Sequence, residues 1–474
     1  MNKLLSSAIL LPMALLTAGQ AAEGPLTAVR TSEAATATAV TADASSRFDA
    51  YMNFEGSYLL GLSDGDMVPS TYIDGNLGPR GKEFRDTLSI IPLQGKDKLK
   101  SIELPVGNSV SVWPNNLAFT PDQKYVFVTE AEGQAPEGAT RRSELPAGEH
   151  IRVIDLSDPK KPRVVQEVRI GGTPSGVSVH PDGELVAVTL AGTGRIALFP
   201  FTGGRLGEPR LLPAGPDALA DEAIREFRWH PSGDFAVVTL PNANRVLFYK
   251  LEGPADAPEL ALWGDPLVTP PFPGIARWTP DGRHVIVAAI GTTPDMAESA
   301  YAVNTTLFLV YRFDATDAPD SPRSRADGGN GDAVSPPVRH VRVAQIPAAS
   351  GFMENFAISP DGRWIVGLNS GAAGFIENYD YLPYPELTLF RFDPDSGIPT
   401  SAGAFPFDGA LPQGIVFDAS GQFLAATSFR HGNPERKGGL IHFWKLVDGP
   451  VPQLVQLDKR LDAPRGIHEL ELMP

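Results

Sequence analysis

The sequence predicts an all-β chain, a seven-bladed β-propeller built from four-stranded antiparallel blades. Three observations carry this reading. First, one hairpin pattern recurs at 116–129, 176–189, 226–239, 275–288, 355–368 and 414–427. Each copy is an apolar strand, a turn of the Pro-Asp-Gly kind, and a second apolar strand. The turn proline falls at Pro121, Pro181, Pro231, Pro280 and Pro360, with Ala419 in its place in the sixth copy. Proline presets φ, aspartate tolerates the tight bend and glycine takes the positive-φ position, so turn chemistry repeats along with hydrophobicity. Second, each hairpin is followed by a third apolar stretch, at 151–155, 195–199, 245–249, 307–311, 387–391 and 440–444. A weaker fourth follows at 164–170, 338–346 and 454–458. Four strands in a unit of about 60 residues is the arithmetic of a propeller blade. Third, Gly 47 and Pro 45 make up nearly a fifth of the 474 residues, which disfavours long helices.

The chain opens with Lys3, a short apolar run over 4–16 and the small residues of 18–22. This reads as a secretory signal over 1–21, with cleavage after Ala21; its apolar run is too short to span a bilayer comfortably. Residues 22–46 are rich in Ala, Thr and Ser and read as a flexible linker. The propeller takes 47–474. Its N-terminal part offers only three strands, at 57–63, 87–92 and 99–104. The missing inner strand is at the other end, where 464–474 resembles the start of the inner strand at 412–417. One C-terminal strand added to three N-terminal ones closes the ring and removes an open edge.

Composition excludes several functions. With Cys 0 there are no disulfides, thiolate metal sites or covalent c-type haem. A net charge of −16 makes the chain a poor general binder of nucleic acid or anionic lipid. No later apolar run is long enough for a membrane span. The mature protein is expected to be an exported monomer of a bacterial periplasm or the outside medium, taking a small-molecule or saccharide-like ligand.

The stretch 171–190, Gly-Gly-Thr-Pro-Ser-Gly-Val-Ser-Val-His-Pro-Asp-Gly-Glu-Leu-Val-Ala-Val-Thr-Leu, resembles a repeat of the lactonase-like seven-bladed propellers. These include the bacterial 6-phosphogluconolactonase type, the carboxymuconate-cyclising type and the secreted YVTN-repeat proteins. The resemblance covers roughly 52–474 and rests on turn and core positions. One such fold hosts hydrolases, lyases, cofactor-bearing subunits and binding scaffolds. It implies His, Glu and Arg around the funnel as catalytic types.

The expected functional face is the top, opposite the Pro-Asp-Gly turns. Insertions at 64–86, 130–150, 291–304, 369–386 and 428–439 fall on that side, and uneven long loops on one rim often carry function. The segment 369–386 carries aromatic residues including Tyr379 and Tyr381, suited to a lid over a sugar or organic ring. The loop 313–337 falls on the bottom, with no chemistry assigned. His180 and His230 precede turn prolines at a repeat position and read as structural.

Polar residues stand where inner strands begin: Asn116, Arg225, Glu226, Glu354, Asn355, Gln413, Arg465 and His468. Ends of second strands add Asn369, Arg430 and His431. A lactonase needs an oxyanion stabiliser and a general acid–base. Arg225, Arg430 or Arg465 can hold a carboxylate or the developing oxyanion; Glu354, His468 or His431 can move the proton. Asn116, Glu226, Asn355, Asn369, Gln413, Tyr379, Tyr381 and Arg430 are candidate substrate contacts. A ring of Glu354, Asn355, Asn116 and Asn369 offers hard oxygens of the kind that hold Ca²⁺ in gluconolactonase-type propellers. The expected activity is hydrolysis of a lactone or related ester of a sugar or aromatic acid. The alternatives are a non-catalytic envelope scaffold or a propeller subunit of a periplasmic redox complex.

Overall fold

A computed structural model describes residues 53–79, 81, 84–109, 115–216, 219, 222–254, 257–291, 305–316, 339–349, 351–370, 384–430 and 437–474. The signal and linker expectations, most of the 369–386 segment with Tyr379 and Tyr381, and His431 lie outside the described residues.

The described strands form seven antiparallel blades. Blade 1 runs from Ile467–Met473, innermost, through Tyr58–Ser63 and Thr87–Pro92 to Ile102–Pro105. Blade 2 is Leu117–Phe119, Tyr125–Thr129, His150–Asp155 and Arg163–Arg169. In blades 3 to 7 the innermost strands are Thr173–Val179, Glu226–Trp229, Pro273–Trp278, Met353–Ile358 and Ile415–Phe417. Each innermost strand touches the next, and Ile467–Met473 touches both Ile415–Phe417 and Leu117–Phe119, so the ring is continuous. The closing strand pairs Tyr58 with Met473 and Ser63 with Ile467, with one register shift between Leu62 and Ser63.

The core is divided into seven clusters, each shared by two neighbouring blades. This explains why the second strands read as continuously apolar: both faces pack. All six residues of Phe235–Leu240, His284–Ala289 and Phe423–Ser428 are buried. Fully burying a Leu, Val or Phe side chain is worth about 1.5–3 kcal/mol, and every blade supplies several to each neighbour.

The turns also join blades. His180 Nε2 donates to the Gly233 carbonyl at 2.9 Å, and His230 Nε2 donates to the Gly282 carbonyl at 3.0 Å. Each histidine thus ties its own turn to the turn of the next blade. Trp229 and Trp278 donate through Nε1 to the Ser178 and Arg228 carbonyls of the preceding blade.

Two details differ from the sequence reading. The outer strand of blade 1 begins at Ile102, because Leu99 closes the preceding turn at φ 64 and donates its N–H to Pro92. The outer edges of blades 3 and 4 are each broken in two, as Arg205–Leu206 with Arg210–Pro213 and Glu259–Leu262 with Leu267–Val268. No helix among the described residues is long and apolar enough to cross a membrane.

Candidate functional site

The top ends of the inner strands bring three of the expected residues together. Glu354 enters blade 6 beside Met353, which pairs with Asn369 at the upper end of the second strand. Its carboxyl is buried, and Gln413 Nε2 of blade 7 donates to its Oε2 at 3.2 Å. Ser370 also hydrogen-bonds to it, and Arg225 of blade 4 attracts its charge. Burial outweighs these contacts and pushes the carboxyl up to about 7. Burial pulls the Arg225 guanidinium down to about 9, opposed by Glu226, Glu354 and Tyr72, so it remains a cation at neutral pH. The Gln413 Oε1 and Asn369 Oδ1 atoms are buried and accept no hydrogen bond among the described residues.

Two insertions pack together into a roof on the top face, against Leu411 and Phe429 of blade 7. Residues 64–86 of blade 1 contain one short helical turn, Thr71–Asp74, and residues 130–149 of blade 2 lie beside it. The two are zipped together: Leu77 N–H donates to Thr140, Arg142 N–H donates to Gly75, and Asn76 bridges Arg141. Ala135 N–H donates to Asp66 Oδ2 at 3.3 Å, and Arg141 donates to both Asn76 Oδ1 and the Asp74 carbonyl. The helical turn carries Tyr72. Its ring packs on Met67, Leu411 and Phe429, with Arg142 5.7 Å from the ring centre.

Beneath the funnel the axial channel carries a second set of charges. Glu226 is almost fully buried and bridges Arg228, at 2.5 Å, and Arg277. Burial raises its carboxyl, and the Arg277 and Arg228 charges more than offset that, holding it below the usual range. Arg277 Nη2 donates to Asn355 Oδ1 at 3.1 Å, and Asn355 Nδ2 donates to the Gln413 carbonyl at 3.0 Å. The closing strand adds Glu469 and Glu471. Asn116 N–H donates to Glu469 Oε2 at 2.8 Å, and burial with the Glu471 charge pushes Glu469 up to about 8. The lower channel holds a cavity of about 440 Å³ lined by Arg277, Asn355, Glu469, Glu471 and apolar side chains.

The remaining expected residues are placed elsewhere. His468 is fully buried and donates from Nε2 to Asn108 Oδ1 at 2.9 Å; burial lowers it to about 3, so it is neutral. Arg465 donates to the Gly65 and Pro79 carbonyls, and its guanidinium lies 3.6 Å from the Phe84 ring centre. It anchors the base of the roof. Asn116 donates from Nδ2 to the Ser109 carbonyl and accepts from Thr129. Asn369 donates to the Glu386 carbonyl and to Thr388. Arg430 bridges Ala410 in blade 7.

Of the oxygens offered for Ca²⁺, Asn369 Oδ1 stands open among the described residues, but the others do not join it as a ligand set. Asn116 Oδ1 accepts from Thr129 and Asn355 Oδ1 from Arg277, while the Arg225 charge lies beside Glu354. Among the described residues no three His, Asp or Glu side chains are grouped to hold a metal. A serine–histidine pair does occur, Ser428 Oγ and His442 Nε2 at 2.9 Å, with both residues fully buried. Gln456 Nε2 donates to His442 Nδ1 at 3.3 Å, so Nε2 carries the proton and Ser428 accepts. That polarity is the reverse of an activated nucleophile.

Sequence reasoning missed Tyr72, Arg228, Arg277, Glu469 and Glu471. The channel charges had a signal. Asn116, Glu226 and Asn355 lie five residues before a turn proline and Arg228 and Arg277 three before one, and Glu469 and Glu471 stand in the same relation to Pro474. Tyr72 had none beyond its place in a long upper insertion.

No protein-family model matches the chain, and no curated protein sequence matches it. Solved structures do. The periplasmic gluconolactonase PpgL of Pseudomonas aeruginosa aligns with a TM-score of 0.56 at 17% identity, over 88% of this chain and 99% of its own. A Bacteroides uniformis protein provisionally named as a 6-phosphogluconolactonase aligns with 0.55 at 15% identity, over 88% and 99%. A Sulfolobus tokodaii protein described as a hypothetical selenium-binding protein aligns with 0.55 at 10% identity, over 88% and 93%. The likeness establishes the propeller fold, on which these names differ in activity.

Proposed function

We propose that the chain is a hydrolase of a lactone or related ester of a sugar or aromatic acid, acting at the top of the funnel. The observation that carries this reading is the Glu354 carboxyl, buried and held near 7 beside the Arg225 cation. A general acid–base works best when its pKa lies near the working pH. In the ionised form Glu354 takes a proton from water as the water oxygen attacks the carbonyl carbon. Arg225 stabilises the negative charge that gathers on the carbonyl oxygen. The ring C–O bond then breaks, and the departing oxygen takes the proton back from Glu354. The sum is lactone plus water giving a hydroxy acid. The names of two fold neighbours, a gluconolactonase and a 6-phosphogluconolactonase, support the same class. Export is part of the proposal: the leader supports a periplasmic or secreted protein, with the propeller over 47–474 acting as a monomer.

The test is a panel of δ-gluconolactone, its 6-phosphate, γ-butyrolactone and dihydrocoumarin. One member should be hydrolysed, with kcat/KM rising as pH passes through about 7, where Glu354 ionises. Glu354→Gln should reduce the rate by about 10²–10⁴ while leaving the melting temperature nearly unchanged. Full activity in that variant sinks the assignment.

A further inference from the structure

Bonded side chains cross the axial channel below the funnel. Glu226 joins Arg228 to Arg277, and Asn355 links Arg277 to the Gln413 carbonyl, so blades 4, 5, 6 and 7 all contribute. Beneath this crossing lies the cavity of about 440 Å³. Its mouth is on the bottom face, where Pro280, Pro360 and Ala419 of three bottom turns and Pro474 are all exposed. Its wall is apolar: Ala357, Ile358, Val416 and Leu472 line it, each only half-buried. Its inner end is polar, and the bonds there are unevenly shared. Arg228 bonds Glu226 and Asn115 Oδ1, and Arg277 bonds Glu226 and Asn355 Oδ1. Glu469 Oε2 accepts from Asn116 N–H. Glu471 is the remaining carboxyl. It lines the cavity and makes no hydrogen bond or close ion pair among the described residues; the charges around it act only through space.

We propose that the lower channel is a binding site for a small organic monocation, an alkylammonium whose charge meets Glu471 and whose chain lies along the apolar wall. Charge, size and wall chemistry each select that class. Three carboxyls against two guanidiniums leave one negative charge unmatched when all are ionised. An anion would have to compete with Glu226 for a guanidinium, whereas a cation at Glu471 displaces nothing. The volume suits a small molecule rather than a bare ion. Among the described residues no three His, Asp or Glu side chains are grouped for a metal. The apolar wall rewards an alkyl chain, because each methylene removed from water adds to affinity. Electrostatics agree with the geometry. Glu471 faces Glu469 on its own strand, Glu226 and Arg228 of blade 4, and Arg277 of blade 5. Burial raises its carboxyl, with Arg228 and Arg277 opposing. A cation beside it favours the ionised form. The inference makes no use of the hydrolase reading, and the two stand or fall separately.

The test titrates hexylammonium into the full-length protein by calorimetry near neutral pH, with hexanol and hexanoate as neutral and anionic controls of the same length. Hexylammonium should bind saturably, about tenfold or more tighter than either control. Glu471→Gln should weaken it by about tenfold or more, as for loss of a charge-assisted contact, and should melt no lower than the parent. Ala357→Leu should weaken it as well, by taking up space at the wall without touching any charge. Where the parent hydrolyses a lactone, saturating hexylammonium should leave its KM unchanged. No saturable binding below about 10 mM overturns the proposal, and so does a control that binds as tightly. Affinity in Glu471→Gln within about threefold of the parent also overturns it. If Glu471→Gln does not fold, Ala357→Leu decides, and unchanged affinity there places the cation elsewhere. Inhibition competitive with the lactone places it at the funnel and overturns the proposal while leaving the hydrolase reading intact.

Discussion

His468 and Glu354 are both buried ionisable residues at the head of an inner strand, yet their surroundings give them different work. Glu354 meets Gln413 and the Arg225 cation and is held near neutrality. His468 meets one amide oxygen, is fully buried and is kept neutral by burial. Replacing His468 by Ala removes that hydrogen bond and leaves a void, so the expected loss is about 2–4 kcal/mol of stability, read by denaturant unfolding. A variant that melts like the parent but has lost turnover would return His468 to the reaction. Residue type and strand position led to both side chains in the sequence. What the sequence did not carry was the partner across the blade boundary, because Asn108 and Gln413 are brought there only by the packing of other blades.

The hairpin with its turn is the element that made the fold readable. Its chemistry is local: a proline, a short polar residue and a glycine at positive φ. The structure adds a contact that locality cannot supply. Gly233 has φ +84, and a Cβ built there would lie 2.5 Å from His180 Nε2 of the neighbouring turn. Gly233→Ala should therefore destabilise by about 1–3 kcal/mol, through both the strained φ and the displaced histidine. Thermal unfolding of that variant, compared with Gly171→Ala, separates the two causes. Gly171 also has positive φ, at +75, but an added Cβ there meets nothing within 4 Å. Equal losses would show that the histidine contact carries no weight. The upper insertions are the opposite case. Their lengths were legible, and the roof was not, because 64–86 and 130–149 have no repeat register and meet partners far away in sequence. Tyr72 was missed for that reason.

At the scale of the whole molecule, the axial channel gathers three carboxyls, Glu226, Glu469 and Glu471, and two guanidiniums, Arg228 and Arg277. Glu226 takes the two cations, and the closing strand is left with the unbalanced acids. Glu469 faces Glu471 on its own strand, Arg228 from blade 4, and the Asn116 and Leu117 amides of blade 2. Its ordinary value of 4.5 is raised to about 8 in the fold, so the folded state holds a proton that the unfolded chain releases. Stability from this group is therefore full below 4.5 and is lost as pH rises towards about 8. Glu469→Gln keeps an acceptor for Asn116 N–H and cannot ionise. Its melting temperature should fall less than the parent's across that window, as followed by calorimetry, and identical slopes would assign the proton elsewhere. The same strand has a consequence in time. Tyr58 pairs with Met473, so a chain emerging from the ribosome makes three strands of blade 1 early and their innermost partner last. Blades 2 to 7 can assemble in order as they appear, each on the one before. Blade 1 keeps an unpaired edge until Ile467–Met473 docks, and any product stopped before Ile467 cannot close the ring.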